Sequence, residues 1–172
     1  MEGWELTLSS LLLAFSSTAN SSGSEGHHPS GHDNHSSGHK DTHTASIVGA
    51  PASPNKASQV FKVTLLDSMR FEFDRKVDIH SGDIVTFEIT NKGKIVHEFS
   101  IGSTEEQKAH GEMMRAMPNM KHQDGNTVSL EPGATKTLTW AFSGKEMAVI
   151  ACNVPGHFEA GMFHNIELTH AH

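Results

Sequence analysis

"DIVTFEITNKGKIVHEFSIG", residues 83–102, sets apolar Val85, Phe87 and Ile89 against polar Thr86, Glu88 and Thr90, and then pauses at Asn91-Lys92-Gly93-Lys94. Alternation resumes after the pause, with His97 on the same side as Ile95 and Phe99, and Val96 and Glu98 on the other. A period of two is that of a pleated strand with one buried face, so the stretch predicts two strands joined by a turn. The pattern recurs in "QVFKVTLL" (59–66), "RFEFD" (70–74), "NTVSLEPG" (126–133), "TKTLTWAFS" (135–143), "EMAVIAC" (146–152) and "MFHNIELT" (162–169), with turn pairs such as Gly82-Asp83 and Pro132-Gly133 between segments. About eight short strands in roughly 115 residues predict an all-β sandwich. One interruption, "STEEQKAHGEMMRAM" (103–117), reads as a short helical insertion: Ser103 is placed to cap it with Glu106 three residues on, and Pro118 ends it.

The sequence N-terminal to this pattern is expected to contribute almost nothing to a core. Residues 20–44, "NSSGSEGHHPSGHDNHSSGHKDTHT", hold no aliphatic or aromatic side chain, so burial cannot offset the entropy of ordering them and a disordered tail is expected. Six histidines lie in it (His27, His28, His32, His35, His39, His43), either as a low-specificity trap for divalent copper, zinc or nickel or as a merely solubilising segment. Ahead of it, "LTLSSLLLAFSSTA" has the apolar run and small residues of a secretory signal, although "MEGWE" supplies acids where a positive flank is usual. The division expected is a signal peptide over 1–19, a His-rich tail and Pro/Ala/Ser linker over 20–58, and one globular domain over 59–172.

Composition removes several function classes. A net charge of -7 and a pI near 6.0 leave no basic footprint for nucleic acid, and no stretch reaches the length of apolar sequence that spans a bilayer. One cysteine excludes an internal disulfide. Neither a Ser/His/Asp arrangement in context, nor paired carboxylates, nor a Gly-rich phosphate loop is present, and no enzymatic activity is expected.

The single cysteine stands in "ACNVPGHFEAGMF" (151–163), where His157 follows Cys152 by five positions and Met162 follows His157 by five. Thiolate, imidazole and thioether form a ligand set suited to copper, with a weak axial Met typical of mononuclear electron-transfer sites. A trigonal site needs another imidazole, and His97 is the best candidate. The bland alternatives are a buried thiol, a core histidine and a gap-filling methionine.

With these residues in view, the chain resembles the cupredoxins, or type 1 blue copper proteins. The likeness covers about residues 59–170 and rests on "SGDIVTFEITNKGKIVHEF", "LEPGATKTLTW" and "ACNVPGHFEAGM". It implies a Greek-key β-sandwich and one type 1 copper, with His97, Cys152 and His157 as equatorial ligands and Met162 as the axial one. Members such as plastocyanin and azurin have Asn after the first His and Ser or Thr after the Cys; here these positions are Glu98 and Asn153. A swapped brace is expected, in which the Asn153 amide donates to the Glu98 carboxylate, against the alternative of a Glu98 on the solvent face. Phe158 and Phe163 flank His157 and would form an apolar rim for a transient redox partner, or else pack the loop onto the sandwich.

A second soft cluster comprises Met113, Met114, Met117 and Met120, between His110 and His122. Positions 110, 113, 114 and 117 share a helical face, so they are either an accessory Cu(I) site or core packing. The terminal His170 and His172 are a weaker candidate of the same kind. The resemblance is nearest to the periplasmic cupredoxins of bacterial copper tolerance. It implies an exported, monomeric, copper-binding redox protein that handles copper ions. A dedicated one-electron carrier is the alternative.

Overall fold

A computed structural model describes residues 46–169; the segment expected to be a signal peptide, the six tail histidines, His170 and His172 lie outside them. Nine strands, one α-helix and one 3-10 turn (Pro54–Lys56) make up the described chain: β1 (Gly49–Pro51), β2 (Gln59–Leu66), β3 (Arg70–Phe73), β4 (Ile84–Asn91), β5 (His97–Gly102), α1 (Thr104–Ala116), β6 (Thr127–Leu130), β7 (Thr135–Phe142), β8 (Met147–Ala151) and β9 (Phe163–Glu167). They form a Greek-key sandwich of two sheets, ordered β1-β7-β4-β2-β3 and β6-β5-β8-β9. Alternation decides which side chains meet. Phe61, Val63 and Leu65 of β2 and Val85, Phe87 and Ile89 of β4 are buried, and the parallel register of these strands sets Phe61 beside Phe87. From the other sheet Phe99 reaches the Phe87 ring at 5.2 Å between centroids, so the sheets interlock through aromatic contacts.

The first strand begins at Gly49, within the segment expected to be linker, and pairs with β7 as far as Pro51–Trp140. Pro51 has no N–H to give, which an edge strand tolerates. A Cβ at Gly49 would collide with the Ala141 carbonyl and the Trp140 ring, so only glycine lets this strand lie so close.

The helix begins as expected. Ser103 Oγ accepts from the Glu106 amide while the Glu106 carboxylate accepts from the Ser103 amide, a complete capping box. The helix packs on β5 and β8, which is why every residue of β5 is buried on both faces. Gln107 fastens it there: its Nε2 donates to the carbonyls of Ser100 (3.1 Å) and Val149 (2.9 Å).

Candidate metal centre

His97 opens β5 rather than sitting in the middle of a longer strand. The segment before it is a turn, and Ile95, expected on the same apolar face, is exposed instead. Period-two reasoning fails there because the backbone leaves the sheet at Asn91. That asparagine holds the turn: its Nδ2 donates to the Ile95 and Leu130 carbonyls at 2.8 and 3.0 Å, and its Oδ1 accepts from the Gly93 amide at 2.8 Å.

The other three ligand candidates, Cys152, His157 and Met162, come from the loop between β8 and β9. The Cys152 amide donates to the Met162 carbonyl (3.1 Å) and the Met162 amide to the His157 carbonyl (3.0 Å), which folds the loop back on itself. Gly161, at φ +96, supplies the left-handed residue that this reversal needs. Met162 is fully buried in the same apolar cluster as Cys152.

The result is a compact donor set. One ligand atom each from His97, Cys152 and His157 lies within 4.8 Å of the others, and all three residues are buried. Cys152 Sγ stands 3.3 Å from His157 Nδ1, and the His97 and His157 rings are 5.0 Å apart. His97 Nδ1 is buried with no hydrogen-bond partner, an orphaned lone pair that a metal would satisfy. Its other nitrogen, Nε2, meets the Asp67 carboxylate at 3.0 Å, which fixes the tautomer that leaves Nδ1 free to ligate.

Electrostatics set the protonation states of the donors in the metal-free protein. Burial pushes the Cys152 thiol up to about 12, so the metal-free protein keeps it protonated at neutral pH. For His157, burial first and then the neighbouring His97 lower the pKa, against an opposing pull from Asp67 and Glu159, so the ring is neutral and available. Asp67 is held below its ordinary value, first by the Lys94 amide and, against some desolvation, by His97. It therefore stays anionic beneath the ligand it orients.

Asp67 was not visible as a site residue in the sequence. It lies in the turn between β2 and β3, where an aspartate usually serves the turn itself. A Cβ at Gly93 would overlap the Asp67 carboxylate, so the glycine makes room for it. Asp67→Asn is expected to weaken metal binding about 10–100-fold while leaving the fold intact, as read by competition with a chelator of known affinity. An unchanged affinity would remove Asp67 from the site.

The expected brace between Asn153 and Glu98 does not form. Glu98 is fully buried, which also excludes the solvent-facing alternative, and its Oε1 pairs with His110 Nε2 at 2.8 Å. Asn153 donates instead to Gln107 Oε1 at 2.7 Å. Helix α1 is the reason: it covers the outer face of β5 and offers a nearer partner to each side chain. Glu98 still touches the centre, but through its backbone N–H, which donates to Cys152 Sγ at 3.2 Å.

The methionines occupy unlike environments. Met114 is buried beneath the helix, Met113 is half-buried, and Met117 and Met120 are exposed. His110 is brought together with Glu98 and His122. The rings of Phe158 and Phe163 stack at 5.0 Å, and Phe163 remains 43% exposed near the His157 loop, which leaves an apolar edge at the surface.

No family model matches the chain. Over 123 residues, 72% of this chain and 73% of the relative, the sequence is 51% identical to a copper-resistant cuproprotein, CopI, of Vibrio cholerae. A second CopI, from Rubrivivax gelatinosus, is 39% identical over 135 residues, covering 77% of this chain and 81% of the relative. Among solved structures, dithionite-reduced auracyanin from Roseiflexus castenholzii matches with a TM-score of 0.54 at 18% identity, over 66% of this chain and 98% of auracyanin. At that identity the likeness is one of fold. Among the described residues no helix is long and apolar enough to cross a membrane.

Proposed function

The chain belongs to the CopI family of copper-resistant cuproproteins, and we propose that it holds one copper ion in a type 1 centre and acts in copper tolerance outside the cytoplasm, as a redox protein rather than an enzyme. The orphaned Nδ1 of His97 beside Cys152 and His157 is the observation that carries this reading. His97, Cys152 and His157 would be the equatorial ligands and Met162 the axial one. A copper so held supplies one-electron chemistry between Cu(I) and Cu(II).

The protein's own residues do the rest. Asp67 orients His97, and the Glu98 amide donates to Cys152 Sγ, a contact that stabilises negative charge on sulfur. Burial in the sandwich keeps bulk water from the thiol and holds the ligands in place before metal arrives, which lowers the reorganisation that accompanies a change of copper charge. The exposed Phe163 edge supports a second reading, a dedicated carrier that docks a redox partner at the His157 loop.

Growth on graded copper separates the two. A strain lacking the gene is expected to be copper-sensitive, with rescue by the full chain and not by Cys152→Ser. A deletion of the tail then shows whether its histidines add capacity. If copper tolerance does not depend on the gene, the tolerance reading is wrong and the carrier stands.

A further inference from the structure

The geometry points to a second metal site, formed by Glu98, His110 and His122 on the face of β5 opposite His97, that takes a borderline divalent cation, Cu(II) before Zn(II). It is independent of how the Cys152 centre is read.

One ligand atom from each of these three residues lies within 4.8 Å of the others. They come from different elements: Glu98 from β5, His110 from α1 and His122 from the segment leading into β6. Two observations show that the cluster is not merely a satisfied polar patch. Glu98 is fully buried, and its Oε2 has no partner; His122 is 9% exposed, and its Nε2 has none either. Buried polar atoms are rarely left unpaired, and two in one cluster call for a ligand.

The outer contacts fit metal binding. His122 Nδ1 meets Asp124 Oδ2 at 2.7 Å, the carboxylate–histidine arrangement that turns the opposite nitrogen toward a metal. The His122 amide donates to Ser129 Oγ at 2.8 Å, which fixes the start of this segment against β6. The His110 and His122 rings are 4.8 Å apart and nearly perpendicular, at 67°. His110 Nε2, now 2.8 Å from Glu98 Oε1, would ligate as the tautomer carrying its proton on Nδ1. Two imidazoles and one carboxylate form a nitrogen and oxygen set, for which the affinity order of the divalent ions places Cu(II) above Zn(II). The same set disfavours Cu(I), so His110 serves a different metal state from the one expected for a methionine cluster. Because the Glu98 amide also donates to Cys152 Sγ, a single residue joins the two sites.

The test removes the thiolate centre first. Full-chain Cys152→Ser is titrated with Cu(II) in excess glycine, which competes for weakly held copper, and bound copper and its electron paramagnetic resonance spectrum are compared with those of Cys152→Ser carrying His122→Gln. The tail is present in both. The proposal expects His122→Gln to remove one equivalent, together with the hyperfine pattern of its imidazole nitrogens. It also expects Asp124→Asn, a change at a partly exposed side chain, to weaken that equivalent about 10–100-fold. His110→Gln provides a check should His122→Gln fail to fold. Copper content and spectrum left unchanged by both His122→Gln and His110→Gln would overturn the site.

Discussion

Cys152→Ser is expected to weaken Cu(I) binding at the His97/Cys152/His157 centre by more than about a hundredfold, because loss of a direct ligand should exceed the 10–100-fold cost of losing an outer partner. The change is nearly isosteric. Ser Oγ can accept the Glu98 N–H that now meets sulfur, so the metal-free variant should remain folded. A proton count ties the effect to the thiol. Since the folded pKa of Cys152 is raised to about 12, the thiol is protonated at pH 8 and must lose its proton to become a thiolate ligand. His157, shifted downward, is already neutral there. Cu(I) delivered as its acetonitrile complex to weakly buffered protein at pH 8 should therefore release about one proton per ion bound at this centre. Cys152→Ser should release none. The sign follows from the raised pKa: proton competition weakens as pH climbs toward 12, so affinity rises with pH across the neutral range. Proton release that is the same in both proteins would show that Cys152 is not a ligand.

Gln107→Leu is expected to cost about 3–5 kcal/mol of stability, read as a lower urea midpoint for the metal-free chain. Leucine fills a similar volume but abandons three buried partners: the Ser100 and Val149 carbonyls and the Asn153 amide. Each buried group left unpaired costs about 1–3 kcal/mol, and local relaxation recovers part of the sum. The consequence extends to the metal centre. Gln107 is the link by which α1 holds β5, β8 and the residue after Cys152, so the variant should also bind copper less tightly. A loss below about 1 kcal/mol would mean that water or a neighbouring group replaces these bonds.

The sandwich could be read from periodicity wherever one face of a strand is buried, as Val85, Phe87 and Ile89 show in β4. The capping box was equally legible, because its signal lies in adjacent residues. Reading failed where tertiary contact decides. Gly49-Ala50-Pro51 has no alternating pattern, and only the close approach to Trp140 makes it a strand. Ile95 follows the period of its neighbours and still lies in a turn. The candidate ligand loop stood out because it holds the one cysteine of the chain, with His157 and Met162 following at even five-residue steps, and the structure brings its Cys152 and His157 to His97. Their supports did not stand out. Asp67 resembles any turn aspartate, and the partners of Glu98 and Asn153 depend on a helix whose docking face local sequence does not specify. The Glu98–His110–His122 cluster was hidden for the same reason, since His110 was grouped with the methionines beside it in sequence.

Copper on the Cys152 thiolate with His97 and His157 would carry a distinct visible signature. The most direct measurement is the visible absorption spectrum of the full chain after one equivalent of Cu(II). A thiolate bound to Cu(II) in a type 1 centre should give an intense visible charge-transfer band that is absent from Cys152→Ser. A full chain that fails to develop this band even with Cu(II) in excess of all its sites would contradict copper ligation by Cys152.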